Sequence, residues 1–591
     1  MKKLKLNISE LFTIFKLLWH YLRRHKALFV ISMVLIFIHS IFLGGALSFI
    51  LPILGQLFSS ESALNEGTGF FAEVIRFYKG FTTSSEHKEL VPVILLFVFM
   101  LLYSVFQFII VLVHSNLTKI VTCDCRKEIY QAINKLRYDE LSKDVPGTYI
   151  QFAVSETRSV NNVFQLGLAL ITKSINSIVI IILLFLLSWQ LTLILVIILL
   201  NIFDSTVLTR YIRKLADKAI LLRTKLMDII TEGILGIKQL RILIADVFFQ
   251  KKVDDTSYRS EDSMRSIRVF SELLAIISQS ISGLGVIVII LIWAFIPVFN
   301  TAIPKSIGII TFIMLISRLS PIISVISGSY GTFIANIPAL NKINFFLKSH
   351  NLTEKSGNYK PKFFLKRDIQ FKDVSFEYLK ERPVIQNVTL SISRGDYIGL
   401  VGSSGSGKTT FLNLLIRLYD PMKGSIRIDG KDLHKLSLSY LRSHISMVTQ
   451  DYFLFNLSIR ENLMLAKPEA TDEELLSILE KVGLKSFMDS LDQGLDTQIG
   501  SNGSKLSGGQ RQRLSLAIVL LRDSQIIILD EGTSSVDKKT EKYILQSIKK
   551  LNQDGKTIIS CSHQDSALID ARKIYEIQDG NFMRISRRVL K

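Results

Sequence analysis

Residues 398–416 read IGLVGSSGSGKTTFLNLLI, and this stretch decides the fold of the C-terminal half of the chain. A short apolar run leads into a glycine-rich loop, G-x-x-x-x-G-K-T from Gly402 to Thr409, and an apolar helical pattern follows. Glycines let backbone N–H groups approach a phosphate, and a helix N-terminus adds the positive end of its dipole. The stretch therefore predicts a strand, a phosphate-binding loop and a helix in an α/β domain.

Two further features predict that this domain hydrolyses a nucleotide. In the loop, Lys408 is placed to reach the β- and γ-phosphates, and Thr409 to supply a magnesium ligand. Farther along, residues 525–531 read QIIILDE, which predicts a buried parallel strand ending in two carboxylates. We expect Asp530 to hold Mg²⁺ through water and Glu531 to act as general base on the attacking water.

Residues 506–510, LSGGQ, carry a resemblance to the ATP-binding cassette (ABC) transporter family. The resemblance implies that the nucleotide is ATP and that Ser507 and the following glycine amides face the γ-phosphate bound by a partner cassette. Two ATP molecules are then sandwiched between two subunits. One phosphate loop and one signature per chain thus imply a dimer, and a homodimer is favoured because all the motifs stand on one chain.

The same resemblance assigns roles to single residues. Tyr378 matches the aromatic that stacks on adenine, Gln450 the glutamine that contacts Mg²⁺ and the attacking water, and His563 the histidine that contacts the γ-phosphate. The predicted catalytic residues are Glu531, His563 and Gln450, and the predicted magnesium ligands are Thr409, Gln450 and Asp530. The predicted nucleotide-binding residues are Tyr378, Gly402, Ser403, Ser404, Gly405, Ser406, Gly407, Lys408, Thr409, Thr410, Gln450, Ser507, Gly508, Gly509, Gln510, Asp530 and His563.

The cassette departs from the family's commoner pattern at five places. Gly532, Ser535 and Val536 alter the D-E-A-T-S-A-L-D stretch, Gln564 replaces an arginine, and Ser501 stands where exporters commonly carry Glu. All the residues assigned to chemistry are present.

The N-terminal half predicts a polytopic membrane domain, because a membrane-spanning helix needs about 20 apolar residues. We therefore expect an all-α six-helix membrane domain of exporter type (type IV) at residues 1–348, a linker at 349–364, and a cytoplasmic α/β P-loop cassette at 365–591. The predicted spans are 27–57, 90–114, 164–187, 191–212, 269–298 and 306–334.

Charge predicts the orientation of these spans. The chain has 71 Lys and Arg against 51 Asp and Glu, a formal net charge of +20. The basic residues flank apolar runs, which indicates cytoplasmic termini and a cytoplasmic cassette in a plasma (inner) membrane. Membrane lipid is therefore the expected acidic partner, and the sequence lacks the interleaved basic and aromatic pattern of a nucleic-acid surface.

Several segments outside the spans have a predicted structure. Residues 115–163 and 213–268 keep helical periodicity, either as cytoplasmic extensions of the spans or as separate soluble helices. Residues 8–22 predict an amphipathic helix on the membrane surface. The external loop 58–89 holds either a short helix or plain loop. The resemblance to exporters places coupling helices near residues 138–147 and 212–223.

Three ionisable residues lie inside predicted spans, where charge is costly and commonly functional. Lys173, Asp204 and Arg318 each fall about 18 to 21 Å below the outer surface at 1.5 Å per residue. They predict either a partly positive belt that binds an anionic head group or an ion pair that ties helices together.

Together these features predict ATP-driven export or flipping by alternating access of a dimer. The substrate is expected to be a lipid, a lipid-linked molecule or another amphipathic molecule, since the chain looks similar to bacterial lipid and lipid-linked oligosaccharide flippases. A multidrug or peptide exporter of the same fold, or one half of a heterodimer, is the alternative. The apolar spans exclude a soluble cassette ATPase, and fusion of both domains in one chain argues against an importer.

Overall fold

The computed structural model describes the chain except residues 1–15, 17, 58–72, 75–89, 144–145, 203–205, 296–304, 349–352, 363, 380–381, 450–451, 531–537, 562–567 and 586–591. The chain divides into two compact units. We call residues 1–136 with 143–353 the membrane unit, and residues 137–142 with 354–591 the cassette unit. A six-residue piece from the N-terminal half thus belongs to the cassette unit.

Helices make up the described part of the membrane unit. They are α1 (Lys26–Ser48), α2 (Ile50–Leu57) and α3 (Val91–Lys135), then, after α4 (Tyr138–Leu141) of the cassette unit, α5 (Pro146–Gln151), a π-helical turn (Phe152–Glu156), α6 (Thr157–Leu187), α7 (Trp189–Ile202), α8 (Thr206–Leu235), α9 (Ile237–Ile242), α10 (Asp246–Phe295) and α11 (Lys305–Lys348).

Among the described residues, five helical segments are long and apolar enough to cross a membrane. They lie at Lys26–Leu54, Val91–Lys135, Gly147–Leu187, Asp246–Gly285 and Ile307–Lys348. The predicted span at 191–212 includes residues 203–205, which lie outside the described residues.

The longest helices exceed the thickness of a bilayer. α3 has 45 residues and α10 has 50, which at 1.5 Å per residue is about 70 Å, against roughly 30 Å of hydrocarbon. Both continue unbroken into the segments 115–135 and 246–268. This continuity agrees with the expected cytoplasmic extensions of the second and fifth spans, and their projection beyond the bilayer stays a prediction.

Hydrogen bonds between side chains join the helices of the membrane unit. The Ser40 hydroxyl donates to Asn176 Oδ1 at 2.8 Å between α1 and α6, and the Ser278 and Ser327 hydroxyls lie 2.8 Å apart between α10 and α11. Small and polar residues commonly stabilise contacts between helices in lipid, because apolar contact alone gives little net attraction there. These contacts fix the mutual positions of the helices.

The described part of the predicted N-terminal surface helix packs along α3. Residues 18–24 are helical, the Tyr21 hydroxyl donates to Glu128 Oε2 at 2.9 Å, and His25 Nε2 lies 2.8 Å from Asp124 Oδ2. Tyr21 is fully buried by this contact. Of the predicted helix, residues 8–15 lie outside the described residues, as do residues 58–72 and 75–89 of the external loop.

The prediction of a second coupling helix at residues 212–223 is wrong. Those residues lie inside the unbroken helix α8, and the chain turns instead at Gly236, where the short helix α9 begins to lead into α10. The sequence between Ile212 and Leu235 keeps helical periodicity without a proline, so nothing ends the helix earlier. Apolar side chains at this turn, including Leu243 and Ile244, are exposed.

The cassette unit contains two sheets. An antiparallel sheet has the order β2-β1-β4-β5, and a second sheet has the order β10-β9-β3-β8-β7-β6, in which β9, β3, β8, β7 and β6 are parallel. The strands are β1 (Asp368–Leu379), β2 (Arg382–Ser393), β3 (Tyr397–Val401), β4 (Lys423–Ile428), β5 (Lys431–Asp432), β6 (Ile445–Val448), β7 (Ile526–Asp530), β8 (Thr557–Cys561), β9 (Lys573–Gln578) and β10 (Asn581–Ile585).

Seven α-helices complete the described part of this unit. They are α12 (Lys408–Leu415), α13 (Leu438–Ser443), α14 (Ile459–Met464), α15 (Asp472–Lys481), α16 (Lys485–Asp489), α17 (Gly508–Leu521) and α18 (Lys538–Gln553). The rings of Phe371 on β1 and Phe411 on α12 stack 4.4 Å apart, which ties the antiparallel sheet to the helix after the glycine-rich loop.

Strand register brings two predicted motifs together. Cys561 on β8 pairs with Leu400 of β3 on one side and with Asp530 of β7 on the other. Parallel strands end at the same edge of a sheet, and ligands of open α/β sheets bind at the carboxyl edge. The glycine-rich loop after β3 and the acid at the end of β7 therefore meet at one edge.

Candidate functional site

The glycine-rich loop adopts a backbone path that only glycine allows at two positions. Gly402 has φ 153° and Gly407 has φ 108°. A Cβ at Gly402 would lie 2.6 Å from the Ile577 carbonyl oxygen, and one at Gly407 would lie 2.9 Å from the Val384 carbonyl oxygen. The loop therefore packs tightly against neighbouring backbone. Its own backbone amides lie at the start of α12.

Lys408 lies at the centre of this loop. Its residue surface is only 7% exposed, and Nζ donates to the carbonyl oxygens of Gly402 at 2.8 Å and Ser403 at 3.0 Å. In the same loop, the buried Ser406 Oγ has no hydrogen-bond partner within the described residues. A buried ammonium held by neutral carbonyls and an unpartnered hydroxyl fit a phosphate group, which supplies the missing charge and acceptors.

Of the predicted magnesium ligands, Thr409 and Asp530 lie among the described residues, and their side chains are adjacent. Thr409 Oγ1 donates to Asp530 Oδ2 at 3.0 Å, and Asp530 is 3% exposed at the end of the fully buried strand β7. Hydroxyl and carboxylate oxygens are the ligands that Mg²⁺ prefers, usually alongside substrate phosphates and water. The pair therefore fits a magnesium ion between the loop and β7.

The signature residues begin helix α17. Ser507 is its N-cap: Ser507 Oγ accepts from the Gln510 backbone N–H at 3.2 Å, and Gln510 Oε1 accepts from the Ser507 backbone N–H at 2.8 Å. This capping box holds Gln510 Oε1 at the helix start. The S-x-x-Q spacing could have shown this role from sequence.

Tyr378 lies beside the phosphate loop, as its predicted role in adenine stacking requires. Its hydroxyl is 3.0 Å from Thr410 Oγ1, and half of its surface is exposed. The Phe376 and Tyr419 rings meet it edge-on with centroids 5.0 and 5.3 Å away. Its orientation is therefore fixed while surface remains open for stacking.

Tyr419 is a residue that the sequence reasoning missed. Its ring packs edge-on against Tyr378 on one side and, with a centroid distance of 5.7 Å, against Tyr138 of α4 on the other. Burial raises the pKa of Tyr419 although a hydrogen bond with Ser142 lowers it, and the nearby Tyr378 and Tyr138 hydroxyls add to the rise, so the phenol stays neutral. A chain of three aromatic rings thus joins the first predicted coupling segment to the adenine side of the site.

Other predicted cassette residues lie outside the described residues. They are Gln450, Glu531 and His563. In the sequence, Glu531 directly follows β7 and His563 lies two residues after β8. Their catalytic roles stay predictions from sequence.

The structure brings two of the three predicted membrane charges to one cluster. Lys173 on α6 lies close enough to His39 to interact electrostatically, and Arg318 on α11 lies similarly close to Tyr103. The His39 and Tyr103 rings stack 4.2 Å apart, and His39 is fully buried. We call these four residues the membrane cluster. Asp204 lies outside the described residues, and sequence reasoning missed His39, although it is a titratable residue inside a span.

Fold and site define a P-loop nucleoside triphosphate hydrolase fused to a helical membrane domain, and comparison with known proteins agrees. Residues 385–534 match the family model described as "ABC transporter", and residues 34–320 match "ABC transporter transmembrane region". The chain belongs to the ABC transporter family.

Relatives align with most of the chain. The heterocyst differentiation ATP-binding protein HepA of Nostoc sp. is 30% identical over 77% of this chain and 74% of its own length. The uncharacterized ABC transporter ATP-binding protein YknV of Bacillus subtilis is 31% identical over 79% and 77%. A bacterial Atm1-family ABC exporter structure with ATP bound superposes with a TM-score of 0.80 at 21% identity, covering 96% of both chains, which shows the fold.

The chain is therefore an ATP hydrolase coupled to membrane transport, a multi-pass membrane protein of exporter type that uses ATP and Mg²⁺. The expected fold class, a helical exporter domain fused to an α/β cassette, is confirmed.

Replacing Tyr419 with Ala should raise the KM for ATP about 2- to 10-fold, because an aromatic contact of roughly 0.5–1.5 kcal/mol that orients Tyr378 is lost. Steady-state ATPase measurements give KM and kcat separately. Tyr419→Phe keeps the ring and should restore the KM. An unchanged KM in Tyr419→Ala would show that Tyr378 needs no support from this ring.

Proposed function

We propose that two copies of this chain form a plasma (inner) membrane exporter that flips or exports a lipid, a lipid-linked molecule or another amphipathic molecule bearing an anionic group. The membrane cluster is the observation that carries this proposal. It places Lys173 and Arg318 on two different spanning helices around one pair of stacked rings, of which His39 is buried and Tyr103 half-buried.

The exposure of Arg318 supports a cavity role for the cluster. Arg318 is exposed on the surface of a single copy, although it stands near the middle of a spanning segment. A guanidinium facing lipid there would be costly, so such residues normally face a water-filled cavity or another helix. A cavity between two copies would hold this charge in water, where an anionic group could pair with it.

A multidrug exporter is the second candidate. The putative multidrug export ATP-binding/permease protein YgaD of Bacillus subtilis is 34% identical over 48% of this chain and 49% of its own length. A multidrug substrate would depend less on the cluster's positive charge.

ATP hydrolysis would proceed at the carboxyl edge of the parallel sheet. Lys408 and the loop amides hold the phosphates, while Thr409 and Asp530 hold the metal. These two residues would hold Mg²⁺, whose charge would offset the charge on the phosphates. Glu531 would accept a proton from the attacking water, with Gln450 and His563 placing that water and the γ-phosphate. ATP drives alternating access because it binds the closed dimer more tightly than the open one.

The turn between α8 and α10 supports a contact between copies. Leu243 there is 63% exposed and has apolar exposed neighbours on both sides. The cassette carries a groove of about 230 Å³ lined partly by Phe455, Leu465 and Ile518. Apolar surface of this kind marks an interaction site. We infer that the turn of one copy docks in the cassette groove of a second, identical copy.

A disulfide should therefore form between copies that carry Leu243→Cys and Leu465→Cys on separately tagged chains, with Cys123 replaced by Ser in both. Mild oxidation should give a linked dimer on a non-reducing gel. Leu221→Cys, an equally exposed position on α8 away from the turn, should not cross-link to Leu465→Cys. Equal cross-linking at both positions would disprove this docking.

Replacing Glu531 with Gln should lower steady-state ATPase at least 100-fold, since removal of a general base costs roughly that factor. ATP affinity, measured with a fluorescent ATP analogue, should stay within about twofold. Glu473→Gln, on the exposed first turn of α15, serves as control and should keep wild-type turnover. Normal turnover in Glu531→Gln would remove its assignment as base.

Dodecyl phosphate should stimulate the ATPase of the reconstituted exporter, and Arg318→Ala should raise its half-maximal concentration about tenfold, as expected for loss of a charged contact of roughly 1.5 kcal/mol. Arg265→Ala, outside the cluster, is the charge-matched control and should leave that concentration unchanged. Stimulation by dodecyltrimethylammonium alone, insensitive to Arg318→Ala, would favour the multidrug alternative.

A further inference from the structure

A second positively charged region lies in the membrane unit, away from the membrane cluster. It is a cavity of about 480 Å³ between α6, α8, α10 and α11, and we call it the arginine cavity. Arg158, Arg223 and Arg268, from three different helices, line it. Its volume falls within the range of about 300–1,000 Å³ typical of ligand pockets.

The lining of the arginine cavity is amphipathic and has no acidic side chain among the described residues. Asn162, Ser271 and Asn336 contribute neutral polar groups, while Ile220 and Ile267 contribute apolar surface. Such a wall suits a ligand with an anionic end and a carbon skeleton, since ligand pockets combine apolar surface with a few well-placed polar groups.

The three guanidinium groups are only weakly compensated. Within the described residues Arg158 has no hydrogen-bond or ion-pair partner. Arg223 Nη2 contacts Met264 Sδ at 3.8 Å, a weak acceptor. Arg268 lies 4.0 Å from Glu261, and both side chains are largely exposed, so this pair contributes little.

One acidic residue near the cavity lowers its charge without removing it. Glu156 is close enough to Arg223 to interact electrostatically. It is buried, does not line the cavity, and accepts a hydrogen bond from Gln151 Nε2 at 3.0 Å. Three guanidinium groups against two carboxylates, Glu156 and the exposed Glu261, leave the cavity positive.

A buried hydroxyl at the wall also lacks a partner. Ser271 is 6% exposed, and its Oγ makes no hydrogen bond within the described residues. Gly331 of α11 approaches so closely that a Cβ there would lie 2.9 Å from this oxygen. Buried polar atoms are nearly always paired in folded proteins, so an unpaired hydroxyl lining a cavity indicates a ligand that pairs with it.

The arginine cavity lies on the cytoplasmic side of the membrane cluster. About 22 Å of helix separates Arg158 from Lys173 along α6, and about 27 Å separates Arg318 from Asn336 along α11, at 1.5 Å per residue. On both helices, the cavity residues lie toward the helix end that the charge distribution assigns to the cytoplasm.

We propose that the arginine cavity binds the phosphate group of a phosphate monoester that reaches it from the cytoplasmic side. The guanidinium forks match phosphate oxygens in geometry and charge. Ser271 and the two asparagines supply further hydrogen bonds, and the apolar wall holds the organic part. The ester is either soluble or the head group of a lipid. This binding does not depend on which molecule is transported.

Phenyl phosphate is the probe, titrated by calorimetry into the full-length Lys408→Ala chain in phosphatidylcholine nanodiscs, so that the phosphate loop does not compete. Combined Arg158→Gln, Arg223→Gln and Arg268→Gln should weaken binding at least tenfold. Combined Arg241→Gln, Arg259→Gln and Arg265→Gln removes the same charge outside the cavity and should leave the Kd within twofold. Arg158→Gln alone should weaken binding about threefold. This single variant tests the proposal even if the triple variant does not fold.

Nanodiscs containing phosphatidic acid distinguish the source of the ester. Loss of phenyl phosphate binding there, restored in phosphatidylcholine, supports a lipid head group as the occupant. An unchanged Kd in phosphatidic acid supports a soluble ester. The proposal is overturned if phenyl phosphate shows no saturable binding, or if cavity and control variants bind it equally.

Discussion

The hydrogen bond from Thr409 to Asp530 joins two positions 121 residues apart, and the nucleotide site depends on it. It exists because β3 and β7 lie one strand apart in a parallel sheet, with β8 between them. β7 and β8 are buried along their whole length and β3 along all but its last residue, so their register is set by packing and is hard to shift. That rigidity places a hydroxyl and a carboxylate where one metal ion can meet both.

The membrane unit meets a different physical constraint. Charge is expensive in a low-dielectric environment, so each ionised group needs water, a partner or a ligand. The membrane cluster places cations on α6 and α11, and the arginine cavity places cations on α6, α8 and α10, nearer the cytoplasmic ends of the helices.

Most of the cassette could be predicted from sequence because its motifs are local. The path of the glycine-rich loop depends on residues within one short stretch, and Lys408 and Thr409 follow from their spacing within it. Tyr419 could not be found this way, because its role arises from rings of Tyr378 and Tyr138 that are distant in sequence. The turn after α8 was misplaced because helical periodicity runs past residue 223 without a signal to stop.

The sequence by itself determined the phosphate loop, the acid-tipped strand, the signature helix and the apolar spans, since each is encoded by neighbouring residues. Only the tertiary structure decided which distant side chains meet: Thr409 with Asp530, His39 with Tyr103, and three arginines around one cavity. The physical reason is that short-range spacing fixes backbone conformation, whereas contacts between helices and strands depend on packing, which a linear pattern does not contain.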